Sequence, residues 1–264
     1  MLFADDTTLI YSHQCHFSLI SEINSELSKI SKWTNVNRLS LNVGKTFCML
    51  FSNRSRFNDE IHEIYFSNEK LKYKSDEKFL GLIIDDKLSF EHHVSHICNK
   101  ISKFVGIFYR IAHFVPCNIL VNLYYSFVYP YISYGILIWG GTFDAHLNRI
   151  LILQKILVRI VMRSDYLAHS NPLFHKTGIL KVHDVYKYSL SIYMYRNKEK
   201  METVSDLHNY KTRYNNHIQP KFQRLLITQR SLSYCAPKVW NEIPQNIQNS
   251  SSLSSFKSNY KKYR

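Results

Sequence analysis

From residue 91 onward the apolar residues of this chain fall three and four apart, and that spacing limits the fold more than any other feature. Val94, Ile97, Ile101, Phe104, Phe108 and Ile111 form one stripe of a helix, with His93, Lys100, Lys103 and Arg110 placed on the opposite side. A second segment, 117–139, is rich in Tyr and aliphatic residues but contains Pro130, which predicts a bend or break there. A third, 144–163, aligns Leu147, Ile150, Leu151, Leu157 and Val161, and sets Lys155, Arg159 and Arg163 four apart on one stripe. Residues 91–163 are therefore expected to be mainly helical.

Before residue 91 the pattern is mixed. Met1 to Ala4 is apolar, Asp5-Asp6 breaks the run, and Thr7 to Tyr11 is rich in β-formers, so the start reads as strand, turn, strand. Residues 17–33 read as an amphipathic helix with Ile20, Ile23, Leu27 and Ile30 on one stripe, ended by Asn35 and Asn37. Thr46 to Phe51 reads as a short strand, 52–60 as a charged loop, and 61–66 and 71–74 as weaker strands. Phe79 to Ile84 reads as one continuous apolar strand turned by Asp85-Asp86-Lys87. Beyond Asn171-Pro172 the signal weakens. Residues 180–196 look helical, 203–231 are polar without a clear period, and Ser250 to Ser255 reads as a serine-rich spacer before a Lys/Tyr end. These readings make the chain α+β.

The charge balance narrows the partners. The chain has 34 Lys and Arg against 20 Asp and Glu, a formal net charge of +14, which favours a polyanion. The 19 Tyr and 16 Phe suit stacking on bases, and equally suit ordinary half-buried packing. The 120–140 stretch is interrupted by Asn122, Ser126, Pro130 and Ser133, which argues against a membrane span and for a bent helix pair. No secretory signal opens the chain, and the five cysteines are odd in number and well separated. That predicts reduced thiols and an intracellular place, nucleus or cytoplasm.

Phe3-Ala4-Asp5-Asp6 carries the sharpest chemistry. A hairpin that presents two carboxylates at its tip supplies the hard oxygens Mg²⁺ takes, and two such ions can activate a hydroxyl and stabilise a leaving pyrophosphate. One carboxylate pair cannot hold both ions, so a further Asp from another strand is required. Taken alone, the pair also fits a solvated turn. Asp59, Asp76, Asp144 and Asp165 lie in polar or helix-start settings and make poor third ligands, and Asp85-Asp86 is better read as a turn. His92, His93, His96 and Cys98 lack the glutamate of an HExxH zinc site and read as a polar helix face.

Four blocks in order resemble the reverse transcriptases of LINE-type (non-LTR, jockey-like) retrotransposons. Phe3-Ala4-Asp5-Asp6 resembles motif C. Leu39-Ser40-Leu41-Asn42-Val43-Gly44-Lys45-Thr46 resembles motif D. Lys78-Phe79-Leu80-Gly81-Leu82-Ile83-Ile84-Asp85 resembles motif E, the primer grip. Ser233-Tyr234-Cys235-Ala236-Pro237-Lys238-Val239-Trp240-Asn241-Glu242-Ile243-Pro244 resembles a block near the end of many such proteins. The resemblance implies metal binding for Asp5 and Asp6, a general-acid role toward pyrophosphate for Lys45, and primer contact for Phe79, Leu80 and Gly81. It implies a thumb whose Lys100, Lys103, Arg110, Lys155, Arg159 and Arg163 follow the template–primer backbone. The domains implied are a partial palm over 1–90, a helical thumb over 91–165 and a C-terminal region over 166–264.

The parent reaction would be Mg²⁺-dependent nucleotidyl transfer from a deoxynucleoside triphosphate to a DNA primer on an RNA template. Motif A, with its essential Asp, lies upstream of motif C in this family and is not in these 264 residues. The chain is thus expected to be a C-terminal fragment inactive by itself. The rival reading is a non-catalytic nucleic-acid-binding relic or co-opted module.

Overall fold

The computed structural model describes residues 2–3, 6–52, 63–198, 201, 203, 217–220 and 222–263, with the side chains of 2, 3 and 6 left aside. The chain is α+β, with far more helix than strand, and it divides into two compact units. The first holds Met1–Phe79 with Ile84–Lys87, and the second holds Leu80–Ile83 with Leu88–Arg264.

In the first unit, strand β1 (Leu2–Phe3) pairs antiparallel with β2 (Asp6–Thr7), Leu2 opposite Thr7 and Phe3 opposite Asp6. The β-rich run expected to reach Tyr11 forms a ladder only at Asp6–Thr7. Helix α1 (His16–Val36) follows. Its stripe enters the core as the spacing requires: Ile20 and Leu27 are buried with Ile64, Phe66 and Leu71, and Ile23 and Ile30 pack beside them. Asn24 fastens the helix to the next segment, donating to the Glu63 carbonyl at 3.2 Å and accepting from the Tyr65 amide at 3.0 Å.

The remaining strands of this unit are short. β3 (Phe47–Cys48) runs parallel to β6 (Lys72–Tyr73), and β4 (Tyr65–Phe66) pairs antiparallel with β5 (Glu69–Lys70). Ser67 and Asn68 join β4 to β5 with φ of 50° and 68°, the double positive φ of a two-residue hairpin turn. Burial pushes the Cys48 thiol up to about 11, so it stays protonated in this core.

The segment expected to be one strand over 79–84 is a hairpin. β7 (Asp76–Phe79) and β8 (Leu82–Asp85) pair across a turn at Leu80–Gly81, with φ of 46° and 84°. An unbroken apolar run does not reveal a turn, and Leu in the left-handed region costs about 1–2 kcal/mol, so tertiary contacts must hold it. Asp85 is buried at the end of β8, not solvated in a turn.

The second unit is helical. α2 (Glu91–Ile111) and α6 (Asp144–Val161) pack against each other. Between them run α3 (Cys117–Leu123), a π-turn at Tyr124–Val128, α4 (Tyr129–Ser133) and α5 (Ile136–Trp139). Pro130 produces the expected break: it sits in the first turn of α4, where a missing N–H is tolerated, and the preceding turn widens. Val94, Ile97, Ile101, Leu120, Tyr124, Val128, Ile132, Trp139, Ile150 and Leu157 are all buried. No helix among the described residues is long and apolar enough to cross a membrane.

α7 (Ser170–Thr177) and α8 (Val182–Asn197) lead to a second core. Among the described residues, α9 (Leu226–Gln229), α10 (Leu232–Asn241), α11 (Gln245–Gln248) and α12 (Leu253–Tyr263) follow. Trp240, Phe256 and Tyr260 are buried with Tyr188 and Met194 of α8. The serine-rich stretch is not a spacer. Ser252 accepts at the start of α12, from the Ser255 amide on its hydroxyl and from the Phe256 amide on its carbonyl, and Tyr195 donates to the Ser250 carbonyl at 2.7 Å. Serine-rich composition matched both a linker and a capped helix start, and the buried Phe256 and Tyr260 decide for the second.

Candidate nucleic-acid interface

Asp6 opens strand β2 opposite Phe3. Asp5 itself, and the carboxylate of Asp6, lie outside the described residues. The donor chemistry, two neighbouring carboxylates, suits Mg²⁺. Lys45 ends a single turn of 3-10 helix at Val43–Lys45 that Asn42 caps, its side chain accepting from the Lys45 amide at 3.2 Å. The Lys45 side chain is exposed.

The turn within the motif E-like block is built by two glycines and a tyrosine of the second unit. Tyr134 donates its hydroxyl to the Leu80 carbonyl at 2.5 Å, and its ring lies 3.2 Å from where a Cβ on Gly81 would stand. Gly135, with φ of 61°, is the N-cap of α5, and a Cβ there would come within 2.8 Å of Leu82. Gly81 thus supplies both the positive φ and the room for the Tyr134 ring. The turn is half-exposed and held against the helices, and Leu80 is 36% exposed at its tip.

His93 departs from the sequence reading. The helical period sets it opposite the apolar stripe of α2, yet it is 4% exposed. Its Nδ1 accepts from the Ile83 amide at 3.3 Å, and its ring meets Trp139 edge-on at 5.6 Å. The imidazole serves as an acceptor that secures β8, which periodicity along α2 alone does not show. Burial, with a smaller push from His96, lowers its pKa to about 4. The folded chain therefore holds His93 neutral while the unfolded chain protonates it near pH 6.5, so stability is full above that pH and falls as pH drops toward 4. We expect a loss of about 1–2 kcal/mol between pH 7 and pH 4.5, discounted for partial solvent screening. Urea denaturation of the chain and of His93→Gln across that range checks it; an equally steep fall in both proteins would put the acid sensitivity elsewhere.

The six expected phosphate-binding cations divide into two groups. Lys103 and Arg110 are exposed on α2, and Lys100 is half-buried beside them. On α6, Arg159 donates Nε to the Ala168 carbonyl at 2.9 Å. Arg163, just beyond the helix, donates to the carbonyls of Ala112 and Val115, both at 3.1 Å. Both guanidinium groups thus fasten backbone: Arg159 the loop after α6, Arg163 the end of α2. Lys155, one turn before Arg159, is half-buried.

The sequence reading missed Gln154, which is fully buried and makes three hydrogen bonds. It also missed Gly140 and Gly141. A Cβ on Gly140 would come within 2.4 Å of Tyr186, and one on Gly141 within 2.5 Å of the Arg230 carbonyl. A buried glutamine inside an otherwise apolar stripe was the one available signal.

Curated RNA-directed DNA polymerases of mobile elements are similar to this chain. The chain is 23% identical over 185 residues to the probable RNA-directed DNA polymerase from transposon X-element of Drosophila melanogaster, covering 69% of this chain and 20% of that protein. It is 24% identical over 200 residues to the RNA-directed DNA polymerase from mobile element jockey of the same species, covering 74% and 21%. A third similar protein is the probable RNA-directed DNA polymerase from transposon BS, also of Drosophila melanogaster, 23% identical over 185 residues, covering 69% and 20%. The chain spans about a fifth of the length of these relatives. No protein-family model and no solved structure matches it.

Proposed function

For a chain related to the RNA-directed DNA polymerases of jockey-like LINE-type elements, we propose the role of the region that holds template and primer, in a polymerase whose catalytic centre it supplies only in part. The observation that carries this reading is the similarity of about 70% of the chain to RNA-directed DNA polymerases of mobile elements, and the four ordered sequence blocks support it. On this reading residues 1–90 are palm, 91–165 thumb and 166–264 the C-terminal region. The Leu80–Gly81 turn touches the primer strand, and the exposed cations of α2 track phosphates.

Bound Mg²⁺ would supply charge stabilisation for the attacking and leaving oxygens. The residues of this chain that would hold it are Asp5 and Asp6. Lys45 would deliver a proton to the departing pyrophosphate. Because the ions need a further carboxylate from another strand, these 264 residues alone are proposed to bind primer–template without extending it.

Binding should be electrostatic. With each neutralised phosphate releasing counterions, log Kd should change linearly with log salt concentration, at a slope of about 0.9 per phosphate contacted. Replacing Lys100, Lys103 and Arg110 together by Gln should reduce the slope by about 2–3 and weaken binding at low salt. The measurement is fluorescence anisotropy of a labelled DNA primer annealed to an RNA template, titrated at several salt concentrations. The same mixture with Mg²⁺ and nucleotides reports extension. Undetectable binding at low salt would remove the nucleic-acid reading, and extension that Asp5→Ala abolishes would show the site to be complete.

A further inference from the structure

We propose that an aromatic strip beside the Leu80–Gly81 turn seats an unpaired nucleic-acid strand by base stacking. The proposal rests on the nucleic-acid reading above and goes beyond it, since a basic helix face accounts for phosphates but not for exposed rings.

Phe127 lies in the π-turn, Tyr131 in α4, and Tyr134 is the extended residue that caps α4. They are 49%, 37% and 58% exposed. Each is held in place. Phe104 of α2 stacks on Phe127 at 5.8 Å between ring centroids and lies 6.0 Å from Tyr131. Tyr134 is tethered through its hydroxyl to the Leu80 carbonyl. Rings already braced lose little freedom on binding, and a row of exposed aromatics on one face marks an interaction surface.

Charge selects the occupant. Between Glu91 and Asp144 the sequence contains no acidic residue, while Lys100 and Lys103 lie on α2 four and one residues before Phe104. A protein partner covering the strip would have to supply carboxylates for these ammonium groups. A nucleic-acid strand brings phosphates and flat apolar bases together. Stacking requires base faces that a continuous duplex hides, so the fit is to an unpaired strand. From Phe127 to Tyr131 the helical rise is about 6 Å, room for about two stacked nucleotides.

The test uses the full 264-residue chain with two labelled probes, a 12-nucleotide oligo-dT and a blunt DNA duplex. In Phe127→Ser with Tyr131→Ser, affinity for oligo-dT should fall at least about tenfold, duplex affinity should change less than about threefold, and the salt slope should stay as it was. In Lys100→Gln with Lys103→Gln, both affinities should fall and both slopes flatten. The conservative pair Phe127→Tyr with Tyr131→Phe should bind oligo-dT like the parent. As a check independent of folding, the parent chain is photocrosslinked to an iodouridine-substituted strand, and the adducts should map to residues 124–134. Adducts confined to other segments, equal losses on both probes, or a change in oligomeric state with unchanged affinity would overturn the proposal. If the parent bound neither probe, the broader reading would fall. If it bound both and the serine variant matched it, the strip proposal alone would fail.

Discussion

Replacing Gln154 by Ala is expected to destabilise the chain by about 3–5 kcal/mol, a large share of the 5–15 kcal/mol typical of a folded domain. Gln154 is fully buried in α6. Its amide nitrogen donates to the Tyr124 hydroxyl at 2.7 Å and to the Leu180 carbonyl at 3.1 Å, and its oxygen accepts from the Val182 amide at 2.8 Å. One side chain thus satisfies the hydroxyl in the π-turn, the carbonyl just before α8 and the first amide of α8. Alanine removes all three partners and leaves a cavity. Each orphaned buried polar group costs about 1–3 kcal/mol, and the cavity adds to that. Tyr124→Phe, which removes only one partner, should cost about 1 kcal/mol. Chemical denaturation of the three proteins measures the costs, and amide exchange at Val182 should accelerate in Gln154→Ala. A loss under about 1 kcal/mol in that variant would mean that water replaces the amide at little cost.

The second large effect concerns the block Ser233–Pro244, which resembles a block near the end of LINE-type proteins. Its buried residues are Ala236, Pro237, Val239, Trp240 and Ile243. Trp240 lies 5.8 Å from Phe256, which stacks on Tyr195 at 4.7 Å. The block's polar side chains close the same core: Asn241 donates to the Ile218 carbonyl at 2.9 Å and accepts from the Ile218 amide at 3.0 Å. Gln248, just beyond the block, donates to the carbonyls of Trp240 and Ile243. Trp240→Ala should therefore cost about 3–5 kcal/mol, the usual range for removing a large aromatic from a core. Lys238→Ala, at an exposed position over the Tyr234 ring at 4.0 Å, should cost under about 1 kcal/mol. Thermal melts distinguish the two. A destabilised Lys238→Ala beside an unaffected Trp240→Ala would reverse the assignment of this block to packing.

Period-based reading recovered the long elements because their burial repeats along the chain. Ile20, Ile23, Leu27 and Ile30 all reach the core of the first unit, and Val94, Ile97, Ile101 and Phe108 are buried in the second. Pro130 marked its own break because a missing N–H acts locally. The resemblance to jockey-like polymerases was also readable, since it lies in the order and spacing of residues and needs no coordinates. Three-dimensional contacts decided the rest. The Leu80–Gly81 turn interrupts an apolar run because Tyr134, more than fifty residues away, holds it. His93 is buried because β8 offers its Ile83 amide. Arg159 and Arg163 look like phosphate ligands in a helical count, yet both donate to carbonyls of other segments. Gly140 and Gly141 matter because Tyr186 and the Arg230 carbonyl approach them. In each case the deciding partner belongs to another segment, nine or more residues away, so no helical period carries it. A helical repeat reports which side of an element is apolar, whereas the identity of the group that meets a given polar atom belongs to the packed chain.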